Sequence, residues 1–223
     1  MEEPLPQLQR LEDGRLALVG EAGTITAEFV TGPMGFRRTK GGGRGQAVAK
    51  AVGLKGGRPI PRVVDLTAGL GRDAFILATL GCPVLALERH PDIHALCADG
   101  LERALEDAET AEMLEGRLQL LHLDALTALQ SWDSSPLASF TPDVLYLDPM
   151  HPPRKKSALP RKEMRLFRAL VGEDLDQTAL LEAALAAPVQ RVVVKRPAQQ
   201  PPLLEGATSA VTGKTTRFDI YLP

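Results

Sequence analysis

Residues 63–73 read VVDLTAGLGRD: a β-branched apolar run ends at Asp65 and is followed by a turn that contains Gly69 and Gly71. A run of this kind that opens into a glycine turn is typical of a parallel α/β sheet. Glycine allows a tight turn and a close approach of the backbone to a ligand. Because ligands of open α/β sheets bind beyond the carboxyl ends of the strands, we expect a binding site at this turn.

Strand and helix patterns alternate on the carboxyl side of this stretch. Apolar runs predict strands at residues 83–88, 117–124, 142–148 and 191–197, and helical patterns at 73–81, 90–114, 161–171 and 178–187 lie between them. Residues 209–222 read as two further strands around a TGK turn. The fold class is therefore α/β: a Rossmann-like, mostly parallel seven-stranded sheet with helices on both faces and a C-terminal antiparallel hairpin.

The first third of the chain has a different pattern. Residues 8–19 and 24–30 predict a small β-hairpin, residues 31–45 a basic glycine-rich loop, and residues 45–53 a short helix. We therefore divide the chain into an N-terminal β-hairpin appendage at residues 1–34 and a main domain at residues 35–223.

Composition limits the cellular setting. The chain has 223 residues, of which 44% are hydrophobic, and no apolar run approaches the roughly 18 residues that cross a membrane. The acidic start does not resemble a signal peptide. Cys82 and Cys97 lack the spacing of metal ligands, so we interpret both as buried thiols in a reducing cytoplasm. The sequence predicts a cytoplasmic protein without a bound metal and without a membrane span.

The positive charges lie in two clusters, although the net charge is only −2. Residues 29–64 hold eight lysines and arginines and no acid. Residues 154–168 hold seven lysines and arginines and one acid, Glu163. Each cluster could be a solvated charged face, but two clusters that flank the expected site favour a polyanion partner. The candidate RNA contacts are Arg37, Arg38, Lys40, Arg44, Arg154, Lys155, Lys156, Arg161 and Lys162.

Acidic residues end four successive strands of the pattern. These residues are Asp65, Glu88, Asp124 and Asp148. One such acid is often a turn or helix cap. Four in succession are hard to explain by capping, and the carboxyl ends of parallel strands meet at one edge of a sheet. We expect the four carboxylates to share a ligand site.

The turn and the second acid indicate an adenosine ligand. Glu88 lies 19 residues after Gly69 and could accept hydrogen bonds from both ribose hydroxyls. A nicotinamide dinucleotide site would share these features, but its third glycine is absent here, and Asp73 follows the glycine pair instead. Asp65, four residues before the glycine pair, suits a small cationic adenosine ligand without a pyrophosphate. Asp124 could then face the adenine amine.

The fourth strand ends in the sequence DPMHP, residues 148–152. An exocyclic amine on a base is a poor nucleophile because its lone pair is conjugated with the ring. The Asp148 carboxylate and the Pro149 carbonyl could accept its two N–H bonds and orient the lone pair for attack on a methyl group. A proline-rich turn is the structural alternative. His151 could stack on the target base, form a hydrogen bond, act as a general base or simply fill the loop.

At these residues the sequence resembles the bacterial ribosomal RNA small subunit methyltransferase J family, a group of class I methyltransferases. The resemblance covers about residues 8–222 and is carried by residues 36–57, 63–91, 144–172, 191–197 and 217–221. It implies the cofactor S-adenosylmethionine (SAM) and methylation of the exocyclic N2 of a guanosine in 16S ribosomal RNA, free or in the small ribosomal subunit. In that family an aromatic residue commonly occupies the place of His151, and small residues also occur at the place of Asp124. The residues and the resemblance together give the cofactor contacts Asp65, Gly69, Gly71, Arg72, Asp73, Glu88, Arg89, Asp124, Ala125 and Asp148, and the catalytic group Asp148, Pro149 and His151.

Other functions fit parts of the pattern. The Asp148-Pro149 loop would also serve a methyltransferase for adenine N6 or for a protein glutamine amide. A SAM- and RNA-binding protein without catalysis would keep the same cofactor site, and its RNA affinity would not depend on Asp148. A nicotinamide-dependent dehydrogenase would give an absorbance or fluorescence change with a reduced nicotinamide. The sequence does not fix the oligomeric state.

Overall fold

A seven-stranded sheet forms the centre of the fold in the computed structural model, which describes residues 5–149, 162–171 and 176–223. The N-terminal part contains β1 (Gln7–Arg10), β2 (Leu16–Gly20), β3 (Gly23–Ile25), α1 (Gly32–Lys40) and α2 (Ala47–Ala51). The following units are β4 (Val63–Asp65), α3 (Arg72–Thr79), β5 (Val84–Glu88), α4 (Pro91–Glu106), α5 (Ala108–Leu114), β6 (Leu118–His122), α6 (Ala125–Gln130) and α7 (Pro136–Phe140). The last are β7 (Val144–Leu147), α8 (Lys162–Val171), α9 (Gln177–Leu185), β8 (Arg191–Pro197), β9 (Ser209–Thr212) and β10 (Thr216–Tyr221).

The order of the strands places the site. It runs β6-β5-β4-β7-β8-β10-β9, with the first five strands parallel and β10 antiparallel to both of its neighbours. The chain leaves β4 toward β5 and β6, then crosses back to β7 on the other side of β4. The carboxyl ends of β4 and β7 therefore meet at the point where the strand order reverses, which is where ligands bind in such sheets.

Both faces of the sheet are covered, as the near-continuous apolar strands predict. Val63 and Tyr146 belong to the core on one face, together with residues of α3 and α4. Val64 and Leu145 belong to the core on the other face, together with residues of α6 and α9. The predicted α/β class, the mostly parallel seven-stranded sheet and the C-terminal antiparallel hairpin are confirmed.

The N-terminal segment differs from its prediction. It forms a three-stranded antiparallel sheet, β1-β2-β3, rather than a hairpin, because the turn at residues 11–14 divides the first predicted strand. This sheet packs against the main domain: Leu18 belongs to the same core as α3, and Asp99 of α4 accepts a hydrogen bond from the backbone of Leu16. The division of the chain between residues 34 and 35 stays a prediction.

The predicted loop at residues 31–45 is wrong over most of its length, because residues 32–40 form the helix α1. Pro33 stands in its first turn, where proline is favoured. Met34 is buried, and the backbone at Gly35 passes so close to the Val30 carbonyl that a Cβ atom would not fit. Tertiary packing thus outweighs the low helix propensity of the glycines.

Two further helical regions depart from the sequence pattern. The long helix predicted at residues 90–114 is divided at Asp107. The side chain of Asp107 accepts a hydrogen bond from the backbone N–H of Thr110 (2.9 Å) and caps the N-terminus of α5. The short helices α6 and α7 were not predicted. Asp124 and Ser135 are their N-terminal caps.

Candidate active site

A cavity of about 370 Å³ lies at the carboxyl ends of β4, β5 and β7. Its size is within the roughly 300–1,000 Å³ typical of small-molecule sites. All the predicted cofactor residues except Gly71 line it: Asp65, Gly69, Arg72, Asp73, Glu88, Arg89, Asp124, Ala125 and Asp148. The acids that end four successive strands therefore do share one site.

Apolar side chains complete the walls of the cavity. They come from the turn after β4, from β5, from α4 and from α8, and include Leu66, Leu70, Leu87, Ile93 and Phe167. Helix α8 also buries Leu166, which lies close to Gly20 of the N-terminal sheet. One helix thus joins the N-terminal sheet to the wall of the cavity.

Glu88 ties the second strand to the glycine turn. Its Oε2 accepts a hydrogen bond from the backbone N–H of Gly69 (2.9 Å), and its Oε1 accepts one from the N–H of His90 (2.7 Å). Burial raises the pKa of Glu88, and these two bonds act in the opposite direction. The carboxylate is therefore held in one orientation at the cavity wall.

The two glycines of the turn have different environments. Both have a left-handed backbone, with φ of +55° at Gly69 and +70° at Gly71. A Cβ atom at Gly69 would meet nothing within 4 Å, whereas one at Gly71 would lie 2.6 Å from the Cys97 sulfur. Gly69 exposes its backbone to the cavity. Gly71 was predicted as a cofactor contact, but it lies outside the cavity lining and packs against α4.

We expect Gly71→Ala to destabilise the protein by about 2–5 kcal/mol. Roughly 1–2 kcal/mol comes from the left-handed backbone and about 1–3 kcal/mol from overpacking against Cys97. Gly14→Ala is the matched control, because Gly14 also has a positive φ (+84°) but open space at its Cβ. Urea unfolding of both variants measures the difference. Equal losses of stability would show that the contact with Cys97 is unimportant.

Asp65 is the most deeply buried of the strand-end acids. The residue is 2% exposed, and its Oδ1 accepts a hydrogen bond from the backbone N–H of Thr67 (3.1 Å). Burial raises the pKa of Asp65 well above its ordinary value, and the nearby carboxylates of Asp73 and Asp148 raise it further. A cationic ligand in the cavity would reverse this balance.

Asp73 is the centre of a charged network. Its Oδ1 lies 2.7 Å from Arg37 Nη1, and its Oδ2 lies 2.8 Å from Lys195 Nζ and accepts a hydrogen bond from the Tyr146 hydroxyl (2.7 Å). Burial opposes ionisation, but the charges of Lys195 and Arg37 outweigh it and hold the pKa of Asp73 below its usual range. Burial, followed by the charge of Asp73, raises the pKa of Tyr146 well above its ordinary value.

Lys195 joins this network to Asp148. Its Nζ lies 2.6 Å from Asp148 Oδ2, and the Asp148 backbone N–H donates to Thr67 Oγ1 (2.7 Å). Burial acts against the charged amine, but Asp73 and Asp148 raise the pKa of Lys195 above its ordinary value. Sequence reasoning missed Lys195, Tyr146 and Thr67. One feature of the sequence could have indicated Lys195: it is a cation near the end of an apolar strand, at the place where the other strands carry acids.

Asp124 both caps a helix and lines the cavity. Its Oδ1 accepts hydrogen bonds from the backbone and the hydroxyl of Thr127, both at 2.8 Å. Its Oδ2 lies 3.9 Å from Arg89, which pairs at 2.7 Å with Asp176 at the start of α9. Ala125 follows as the first residue of α6. The sequence offered capping and ligand binding as alternatives for such acids, and here one carboxylate is placed for both.

The predicted RNA contacts divide into two groups. Arg37 lines the cavity, and the Arg38 side chain is 5% exposed beside Glu109 and Met113. Lys40 and Arg44 are exposed. In the second cluster, Lys162 is the first residue of α8. His151, Arg154, Lys155, Lys156 and Arg161 lie outside the described residues.

Other expectations concern metals, membranes and thiols. Within residues 5–149, 162–171 and 176–223, no group of three or more His, Cys, Asp or Glu side chains is arranged to hold a metal ion. None of the helices in these ranges is long and apolar enough to span a membrane. Cys82 and Cys97 are buried, unpaired thiols, as predicted.

The described residues fit a cationic adenosine ligand. Buried carboxylates suit a positive charge and ribose hydroxyls, the apolar wall suits an adenine ring, and the Gly69 backbone is open to the cavity. The Asp148 side chain is 38% exposed and so is accessible from solvent at the same cavity. A second, larger substrate can therefore reach it from outside.

Comparisons with known proteins agree with this arrangement. A family model described as "Putative SAM-dependent methyltransferase" matches residues 7–223. A ribosomal RNA small subunit methyltransferase J from Cronobacter sakazakii is 55% identical over 200 residues, which are 89% of this chain and 77% of that protein. The protein of the same name from Edwardsiella ictaluri is 52% identical over 218 residues, which are 97% of this chain and 82% of that protein. The crystal structure of a SAM-dependent methyltransferase from Neisseria gonorrhoeae has a TM-score of 0.73 and 38% identity, and the match covers 100% of this chain and 85% of that one.

Proposed function

The chain belongs to the ribosomal RNA small subunit methyltransferase J family of SAM-dependent methyltransferases, and we propose that it methylates the exocyclic N2 amine of a guanosine in 16S ribosomal RNA. The cofactor is SAM. The substrate is 16S RNA, free or in the small ribosomal subunit, which would place the enzyme in the cytoplasm. The observation that carries the proposal is the position of Asp148, at a partly exposed point of a cavity that also holds Glu88 and Asp65.

The residues of the cavity suit binding of the cofactor. Glu88 is placed to accept hydrogen bonds from ribose hydroxyls, and the apolar side chains around it offer a surface for adenine. Asp73, and Asp65 once it has released its proton, supply negative charge for a cationic ligand. When bound, SAM supplies a methyl group on a positively charged sulfur, which leaves as a neutral thioether.

Asp148 and Pro149 would orient the amine that receives the methyl group. The carboxylate and the backbone carbonyl accept its N–H bonds, so the lone pair points away from them and toward the methyl group. The lone pair forms the new N–C bond, the electrons of the broken S–C bond stay on sulfur, and one N–H proton is lost to solvent. The guanosine must leave its stack to reach Asp148, at a cost of a few kcal/mol.

Helix α1 offers a surface for the RNA next to this cavity. Phe36 is 65% exposed, and Lys40 lies one helical turn further along the same face. Unpaired bases stack on exposed aromatic rings, and lysine and arginine bind phosphates without reading sequence. Arg37, the neighbour of Phe36, reaches into the cavity. The exposed face of α1, with Arg44 beyond it, therefore suits a single-stranded segment beside the target base.

We expect SAM binding to release a proton from Asp65. The raised pKa of Asp65 keeps the carboxyl protonated in the free protein at a pH where an ordinary aspartate, with a pKa of about 3.9, is ionised. A cation in the cavity favours the ionised carboxylate of Asp65. The affinity for SAM therefore rises with pH between the pKa of Asp65 in the complex and its higher pKa in the free protein. Calorimetric titrations in two buffers of different ionisation enthalpy, repeated over a series of pH values above the ordinary aspartate pKa, measure the released protons. Asp65→Asn is the control, since it cannot release one; equal heats in both buffers for the unmodified protein would contradict the expectation.

The proposed function is tested with methyl-labelled SAM, protein-free 16S RNA and intact small subunits, followed by nucleoside analysis. Label in N2-methylguanosine supports the proposal, and the more active substrate identifies the natural form of the RNA. Label in N6-methyladenosine, or in protein of the intact subunit alone, would overturn the assigned substrate. SAM binding without label in any substrate would favour a binding protein without catalysis.

A further inference from the structure

Three of the carboxylates that line the cavity lie around one amine, which contacts two of them. Asp65, Asp73 and Asp148 come from β4, α3 and the end of β7. Lys195 Nζ lies 2.8 Å from Asp73 Oδ2 and 2.6 Å from Asp148 Oδ2. Like charges this close raise one another's pKa unless a cation is present. The amine of Lys195 supplies that charge directly between Asp73 and Asp148.

The sheet determines where this amine lies. Strand β8 runs parallel to β7, with Val194 opposite Leu147, so Lys195 stands next to Asp148 along the same edge. Phe218 of β10 is its partner on the other side. Val192, Val193 and Val194 are fully or almost fully buried, so the backbone that carries Lys195 is held by the core.

We propose that Lys195 is a positioning residue for methyl transfer, which holds the Asp148 carboxylate ionised and in one orientation for the N–H bonds of the target amine. The inference rests on the proposed function, since it takes Asp148 as the group that touches the amine. The ion pair fixes Oδ2, and the Asp148 backbone is fixed by the Thr67 hydroxyl. Both contacts restrict the rotation of a side chain that is partly exposed.

The acidic groups that the structure describes around Asp148 act against its ionisation. Among the described residues, Asp73 faces it from α3, Asp65 from β4 and Tyr146 from its own strand. Arg37 pairs with Asp73 through Oδ1 at 2.7 Å. Removal of Lys195 therefore leaves Asp73 with two partners, Arg37 and Tyr146, while Asp148 loses an ion pair.

Lys195 is not itself a proton acceptor in this scheme. The amine nitrogen forms its bond to the methyl carbon and loses one proton to solvent, and Lys195 stays protonated throughout. Its contribution is to the charge and orientation of Asp148. A purely structural lysine would contribute to stability alone.

The test is the pH dependence of single-turnover methylation by Lys195→Met. We expect the methylation rate to be about 10²-fold lower at neutral pH. The acid limb of the pH–rate profile, where the rate falls as the pH decreases, should move to higher pH by about one unit or more. Lys195→Arg, which keeps the charge, should restore most of the rate and the original acid limb. Arg191→Met is the matched control, because it removes a cation from the opposite end of the same strand, where Arg191 contacts the Ala51 carbonyl (3.0 Å).

A second measurement does not depend on activity. The carboxyl carbon of Asp148, assigned with Asp148→Asn, is titrated by NMR in the protein without SAM or RNA. The midpoint should move to higher pH in Lys195→Met and should not move in Arg191→Met. If the midpoint moves but the unmodified protein labels no RNA, Lys195 keeps Asp148 ionised, but the proposed function is wrong and with it the role of Lys195 in methyl transfer. If RNA is methylated while both the midpoint and the acid limb of Lys195→Met stay unchanged, Lys195 is structural and the inference is overturned.

Discussion

Asp148→Ala is expected to lower the rate of methyl transfer by about 10²–10³-fold, the usual effect of removing one preorganised group that stabilises a transition state. Without the carboxylate, the amine of the target base loses the acceptor that orients its lone pair. Binding of SAM should persist, because Glu88, Asp65 and the apolar wall of the cavity are unchanged. The fold should also persist, since Lys195 keeps its contact with Asp73.

Single-turnover labelling of RNA measures this effect, and calorimetry measures the binding of SAM separately. Asp148→Asn keeps the shape of the side chain but not its charge, so its activity should lie below that of the unmodified protein. Asp133→Ala is the control, because it removes an exposed carboxylate that is not part of the cavity lining. An Asp148→Ala variant whose rate stays within about threefold would show that the carboxylate does not orient the amine.

Asp219→Ala is expected to destabilise the protein by about 3–5 kcal/mol, because it leaves a buried guanidinium without its counter-charge. The Arg196 side chain is 6% exposed, that of Asp219 is 2% exposed, and Arg196 Nε pairs with Asp219 Oδ2. The pair lies between β8 and β10 and is separate from the cavity lining. The melting temperature should fall by about 6–20 °C, at roughly 2–4 °C per kcal/mol for a chain of this size.

Arg217 offers a control on the same carboxylate. Its Nε lies 2.6 Å from Asp219 Oδ1, but its side chain is 37% exposed. Arg217→Ala should therefore cost only about 0–1 kcal/mol. Unfolding in urea of both variants gives the comparison. If Asp219→Ala and Arg217→Ala lowered the free energy of unfolding by similar amounts, burial of Arg196 would not be the reason why Asp219 stabilises the protein.

The central strands were predictable because their signal is local. Strands β4, β5 and β7 are buried on both faces, so the sequence shows short apolar runs that end at an acid. The same pattern located the cavity, because the ends of parallel strands meet. Helix α1 was not predictable in this way. Its glycines and cations have the composition of a loop, and its stability depends on the burial of Met34 against the rest of the fold.

The acids of the site were predictable, but their partners were not. Asp73 and Lys195 are 122 residues apart in sequence, and Asp148 and Lys195 are 47 apart. A lysine at the end of an apolar strand gives no indication of which carboxylate it will meet. Arg37 illustrates the same limit: its charge cluster predicted an RNA contact but gave no indication of its pairing with Asp73. The division of the N-terminal residues from the main domain and the roles of the site residues remain predictions.

The spread of the charged network along the chain has a consequence for the order of events during synthesis. Asp73 is held by Arg37, Tyr146 and Lys195. Strand β4 pairs with β7, where the partner of Val63 is Val144, 81 positions later. Pairings this distant in sequence form slowly. A ribosome-bound chain that ends before β8 has its carboxylates but not the amine between them. The complete network around Asp73 and Asp148 can therefore form only after Lys195, in the last parallel strand of the sheet, has been translated.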